Sequence, residues 1–172
     1  MLMRSCITFL ISLLAFTSFS QSIKKVPVGK SGCSVYTFCE TKFDESKSQD
    51  SSVVYTGECT KEEVTYGVIC VKLLTPPENI SAAEDLLIAY LDYLKTSFSV
   101  TKAAGYGKGH HLNKNENTRG ILDYWEDSEK NNWKVKAWTD GKYIGVMYAY
   151  SLKELPETKI NIFLEGLRFP GM

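Results

Sequence analysis

The sequence predicts an α+β fold, an antiparallel β-sheet flanked by two amphipathic helices as a helix-sheet-helix sandwich. Three observations carry this expectation. An Asp140-Gly141 turn sits between two runs that alternate apolar and polar residues. Runs rich in Val, Tyr and Thr fill the first half of the chain, and two other stretches repeat apolar residues at the helical period. No repeat of solenoid length and no second composition regime divides the 172 residues, so one domain over 33–172 is expected.

The N-terminal segment 1–20 carries Arg4 and then an apolar run over 7–16, shorter than the about 20 residues that span a bilayer. Ser18 and Ser20 place small residues where a signal peptidase reads, which predicts cleavage before Gln21 and a secreted or periplasmic chain. Cys6 precedes the apolar run and Cys33 lies well beyond it, so neither is placed for lipidation and no stable membrane anchor is expected after cleavage. Residues 21–32 hold Lys24, Lys25, Pro27 and two glycines with little apolar periodicity, the pattern of a leader ahead of the fold.

Residues 33–43 alternate with Val, Tyr, Thr and Phe as a strand does, and the polar run 44–52 is a turn or loop. Residues 53–59 and 64–74 predict two more strands. In the second, Val68 and Cys70 face one way while Ile69, Val71 and Leu73 face the other, which makes it an interior strand covered on both sides. Pro76 and Pro77 end it. Ser81 and Glu84 then form a capping box for a helix whose stripe is Leu86, Leu87, Tyr90, Leu91, Leu94 and Phe98, with Asp92 and Lys95 off it. Asn79-Ile80-Ser81 matches a glycosylation sequon, relevant to a chain made in a eukaryotic secretory pathway.

Residues 120–151 predict a three-stranded meander. With Thr139 facing Lys142 across the Asp-Gly turn, Ala137 faces Ile144, Val135 faces Val146 and Trp133 faces Tyr148, a continuous apolar face. Placing Glu126 opposite Trp133 adds Leu122 and Tyr124 to that face. The reverse face then carries Ile121, Asp123, Trp125, Lys134, Lys136, Trp138, Tyr143 and Met147, with Asp123 opposite Lys136 as a cross-strand ion pair. A one-residue change in the 127–132 loop would move Trp125 to the core face. Pro156 opens a last helix with the stripe Ile160, Phe163, Leu164 and Leu167, and Pro170 stops it.

Lys and Arg total 20, as do Asp and Glu, and Arg4 is the one charged residue in 1–20, so the cleaved chain is acidic by a single charge. No basic excess drives counterion release, which excludes nucleic acid as the expected partner. Cys33, Cys39, Cys59 and Cys70 remain after cleavage, and export makes them disulfide candidates whose three possible pairings the spacing leaves open. Their wide, irregular gaps do not suit zinc.

The stretch Gly105-Tyr106-Gly107-Lys108-Gly109-His110-His111 holds both histidines. It matches neither a dinucleotide fingerprint nor a Walker loop, since Lys108 is followed by Gly109. Adjacent residues on a strand point to opposite faces, so His110 and His111 would reach one metal only across a bend, joined by an acid such as Glu116 or Asp123. The expected reading is a mobile bend between helix and strand. No G-x-S-x-G occurs, and no nucleophile, base and orienter assemble from named residues, so neither catalytic activity nor a cofactor is expected. If exposed, Trp125, Trp138, Tyr143 and Met147, ringed by Lys134, Lys136 and Asp123, would form a binding surface; alternatively a helix covers them.

The order of hairpin strands, long helix, glycine-rich connection, meander and terminal helix resembles the PsbP-like fold, known from extrinsic photosystem subunits and a Ran-GTPase release factor. The residues that carry the likeness are Gly120-Ile121-Leu122-Asp123-Tyr124, the run from Trp133 to Ile144 through Asp140-Gly141, and Lys159-Ile160-Asn161-Ile162-Phe163-Leu164-Glu165. The resemblance extends over 33–169 and implies a non-catalytic binding module; the cysteine-rich first hairpin departs from it. Two functions follow: a module binding a protein or small apolar ligand through the sheet face or a cleft beside 105–111, and, as the alternative, a metal-dependent hydrolase or metal-binding protein using His110 and His111.

Overall fold

Alternating runs at both ends of the chain pair into two antiparallel sheets in the computed structural model, which describes residues 23–172. The expected signal peptide lies outside the described residues. In order, the elements are β1 (Lys24–Pro27), β2 (Ser34–Thr37), β3 (Asp44–Lys47), β4 (Val53–Lys61), β5 (Val64–Lys72), α1 (Ile80–Ser97), β6 (Val100–Ala103), β7 (Gly107–His110), a 3₁₀ turn (Leu112–Lys114), β8 (Arg119–Asp127), β9 (Asn132–Thr139), β10 (Tyr143–Ser151), α2 (Glu157–Leu164) and β11 (Leu167–Arg168). The larger sheet runs β3-β4-β5-β10-β9-β8, and β8 takes β6 and β7 side by side on its outer edge; the smaller runs β1-β2-β11. The class is α+β, mostly antiparallel sheet with two helices.

The two-sided pattern in β5 is realised. Val68 and Cys70 join a cluster with Val35, Trp138, Met147, Ile160, Phe163 and Leu167, while Ile69 and Val71 join Leu87, Leu91, Leu94, Val135, Ile144 and Val146 on the other face. Helix α1 therefore lies on one face, and α2 with the small sheet on the other. The expected leader contributes β1 instead: an edge strand needs only main-chain pairing to β2, so Lys24 and Lys25 stay in solvent while Val28 is fully buried. The polar run 44–52 likewise contains a strand, β3, with all four side chains exposed along the sheet edge. The strand expected over 33–43 is confined to four residues, because the chain turns away to bring Cys39 to its disulfide partner Cys59 on β4.

Helix α1 is capped by Asn79, whose Oδ1 accepts from the Ala82 amide at 2.9 Å, rather than by Ser81. Asn is as good a cap as Ser, and the choice starts the helix two residues earlier than a Ser81 cap would. Ala83, Leu87, Leu91 and Leu94 are its buried stripe, whereas Leu86 stands in solvent. Helix α2 ends at Leu164, before the predicted stripe does. Gly166 turns the chain where a Cβ would meet the Phe163 carbonyl oxygen at 2.7 Å, and Leu167 enters β11 to pair with Val35.

Both meander registers differ from expectation. Thr139 pairs with Ile144 rather than Lys142, because Asp140 Oδ1 accepts from the Lys142 and Tyr143 amides and holds a wider turn. The shift of two residues keeps every side chain on its predicted face. Between β8 and β9 the shift is one residue, and it exchanges the faces of β8. Asp127 is the cause: its carboxylate accepts from the Glu129 and Asn131 amides, the Asn131 side chain and the Trp133 indole, so it closes the turn from within the strand and Glu126 pairs with Asn132. Ile121, Asp123 and Trp125 thereby point toward α1, and Leu122 and Tyr124 to the other side.

Gly120 lies under the Trp138 ring, where an added Cβ would sit 2.2 Å from Cζ3 and 2.9 Å from His110 Cβ. Gly120→Ala is therefore expected to destabilise the fold by about 1–3 kcal/mol through overpacking, read as a lower urea midpoint at unchanged m-value.

Candidate functional site

Of the two alternatives for Trp125, Trp138, Tyr143 and Met147, an exposed surface or a helix-covered face, burial is the one found, and the four divide between the two faces. Trp138 and Met147 are fully buried beneath α2 and the small sheet, Tyr143 is 9% exposed in the same cluster, and Trp125 is 3% exposed in the α1 cluster. The Trp138 indole donates to the Leu164 carbonyl at 3.1 Å, and the Tyr143 hydroxyl donates to the Ser31 carbonyl at 3.2 Å. The two lysines expected at the rim hold α2 in place: Lys134 Nζ is 2.6 Å from Glu157 Oε2, and Lys136 pairs with Glu165. Each ammonium also lies over a ring, Lys134 over Tyr124 and Lys136 over Trp138. Trp138 and Met147 offer no surface, because a helix of the chain's own sequence covers them.

The predicted Asp123–Lys136 pair is absent as well. The one-residue register change carries the fully buried Asp123 carboxylate to the opposite face, where Lys95 reaches it at 3.1 Å and the Trp125 indole donates to it at 2.7 Å. Lys95 Nζ also donates to the Tyr106 hydroxyl at 2.9 Å and lies 4.0 Å from that ring's centre, while Tyr106 bonds Asp92. Burial alone would lower the Lys95 pKa, but Tyr106 and Asp123 hold it above the usual lysine value. This cluster fastens α1 to the sheet. Lys95 had been placed off the helix stripe; the available clue to its role was an aspartate on a β-strand whose inward parity would demand a cationic partner.

The ground around the glycine-rich stretch is open to solvent. It is not a free bend: β7 pairs with β8, Gly107 opposite Leu122 and His110 opposite Gly120, with an irregularity between. Gly105 and Gly109 adopt φ of +94° and +87°, which lets the chain leave β6 and rejoin the edge as β7. Beyond β7, Asn113 and Lys114 both have left-handed backbones inside the 3₁₀ turn. Thr118 stabilises that turn, its hydroxyl accepting from the Leu112 amide at 2.8 Å and donating to the Asn115 carbonyl at 2.7 Å.

The result is an open depression of about 620 Å³ lined by Gly109, His110, His111, Lys114, Glu116 and Arg119. His111 Nδ1 is 2.9 Å from the Thr118 carbonyl, so Nδ1 carries the proton and Nε2 is the free nitrogen of the neutral ring. Arg119 Nη1 donates to the carbonyls of Glu116 and Thr118, which fixes the guanidinium beside the depression. Lys114 makes no ion pair among the described residues. Sequence reasoning had singled out the two histidines and missed Lys114 and Arg119, which the 3₁₀ turn folds back toward them. Partial burial, aided by Lys136 and His111 and opposed by Glu165, lowers the His110 pKa. Among the described residues no group of three or more His, Cys, Asp and Glu gathers as a metal site would require. Lys114 and Arg119, set against the single acid Glu116, leave the lining with a positive balance that suits an anionic group.

The chain matches no protein-family model and no curated protein. No helix among the described residues is long and apolar enough to cross a membrane.

Two outcomes are expected. Lys95→Met, which removes the cation paired with the buried Asp123, should cost about 3–5 kcal/mol in urea unfolding, while Asp92→Asn at the exposed end of the same cluster should cost under about 1 kcal/mol. In NMR titrations His110 should protonate below the ordinary histidine value. Because its folded pKa lies below the unfolded one, the unfolded chain binds the proton first, and stability should fall as pH drops through about 6.5 and below; His110→Asn should flatten that slope.

Proposed function

We propose that the chain is an exported, non-catalytic binding module of PsbP-like architecture, and that it holds a carboxylate-bearing ligand or partner segment at the depression between β7 and β8. The observation that carries this reading is the convergence on open ground of Arg119 and Lys114, which makes no ion pair among the described residues, beside His110 and His111. Export is supported by the N-terminal pattern over 1–20 and by the Cys39–Cys59 bridge, a bond typical of oxidising compartments. The PsbP-like assignment is supported by the order of elements, with a long helix between the strand pair β4–β5 and the meander and a short helix after it. Lys114 and Arg119, set against the single acid Glu116, favour an anionic ligand at this depression over an apolar one.

The test uses hexaglutamate as probe and hexaglutamine as its uncharged control, followed by calorimetry and by amide and imidazole NMR shifts at low salt. Binding of the acidic probe alone is expected, with shifts centred on residues 109–119. Lys114→Glu with Arg119→Gln should weaken it at least about tenfold, the worth of one charge-assisted hydrogen bond. Equal binding of both peptides, unchanged affinity in the double variant, or shifts centred elsewhere would sink the reading.

A further inference from the structure

Strand β2 has a cysteine at each end, Cys33 immediately before Ser34 and Cys39 two residues after Thr37. Each lies against a cysteine of the large sheet. Cys39 is bonded to Cys59 of β4, whose register partner is Tyr66 on β5. Cys33, 2% exposed, has its sulfur 3.4 Å from that of the fully buried Cys70, farther along β5 opposite Tyr55. The two sulfurs thus stand in contact, against the about 2.05 Å of a formed disulfide bond.

We propose that Cys33 and Cys70 are the site of a second disulfide, nested outside the first, which joins the small sheet to the centre of the large one. The surroundings support it. The Ser31 hydroxyl accepts from the Cys33 amide at 3.0 Å and donates to the Val28 carbonyl at 2.7 Å, and the Ser31 carbonyl is held by Tyr143, so the loop that presents Cys33 is fixed in place. Valine, tyrosine and phenylalanine side chains of the same cluster, among them Val28, Tyr55 and Phe169, enclose the pair. No other cysteine among the described residues is free to compete for either sulfur.

The oxidant is a disulfide-bearing donor, a dithiol–disulfide oxidase or oxidised glutathione. One cysteine, as thiolate, attacks a donor sulfur, forming a mixed disulfide and expelling the donor's first thiolate. The other cysteine, as thiolate, then attacks the mixed disulfide, forming the Cys33–Cys70 bond and expelling the second. Two thiols lose two protons and two electrons, and the donor disulfide is reduced to two thiols. Both sulfurs are shielded in the folded chain, so the exchange belongs to folding, before β2 closes over β5.

This inference is independent of the ligand at the depression. Its test is peptide mapping of the full chain, refolded with oxidised and reduced glutathione and alkylated under denaturing conditions. Cys33 and Cys70 are expected to escape alkylation and to appear as one cross-linked peptide pair about 2 Da lighter than the two thiol forms. Cys39→Ala with Cys59→Ala, which leaves this pair as the only cysteines after residue 20, should still form the cross-link, and its melting temperature should fall on reduction. Alkylation of both residues in the refolded chain, stable glutathione adducts on either, or a bridge from Cys33 or Cys70 to any other cysteine would overturn the assignment. So would a melting temperature of the double variant indifferent to reduction.

Discussion

Strands β5 and β10 project apolar side chains in both directions, and this two-sidedness dictates how the remaining chain is disposed. A sheet whose centre must be dry on both faces needs two covering layers, and one amphipathic helix supplies only one. The long helix α1 takes one face. The short α2 is too small for the other, so β1, β2 and β11 complete the cover. The cysteines at the ends of β2 lie over the strands this second layer must hold. Gly67, Gly120 and Gly145 answer the same demand from below, each leaving room where Tyr148, Trp138 or Leu167 presses against the sheet.

Charge is used at the seams between layers. Lys95 joins α1 to Asp123, and Lys134 and Lys136 join α2 through Glu157 and Glu165. The settings differ in consequence. Asp123 is wholly enclosed, so its partner is obligatory once the carboxylate is buried, whereas the Glu157 and Glu165 side chains stay 64% and 48% exposed. The second arrangement lets long lysine stems fill apolar ground beside aromatic rings while their charges reach carboxylates at the rim.

Much of the architecture was legible in the residues. The 3.6-residue stripe of α1, the two-sided alternation of β5 and the Asp140-Gly141 reversal are strong local signals, and each lies where expected. The failures share a physical origin. Strands β1 and β3 carry almost no apolar pattern because edge strands are held by main-chain pairing, to which hydrophobic periodicity is blind. The faces of β8 were exchanged because the count around the 127–132 loop turned on whether Asp127 belongs to the turn or to the strand, and its carboxylate serves both. That single residue decided where Trp125 and Asp123 point. Of the depression, the histidines and Glu116 could be named in advance; Lys114 and Arg119 reach it through two successive left-handed residues that the letters Asn-Lys do not announce.

The outer borders of the large sheet have a consequence for how the molecule behaves among its own kind. On one side stands Asp44-Glu45-Ser46-Lys47, four solvated polar side chains. On the other, β6 and β7 divide the length of β8 between them, each with a break in register. An incoming ribbon from a neighbouring molecule would meet charge at the first border and a crooked, glycine-bent template at the second. A protein built around so much extended backbone is thereby kept from polymerising through it, and concentrated solutions should stay clear of fibrils for as long as both borders keep their shape.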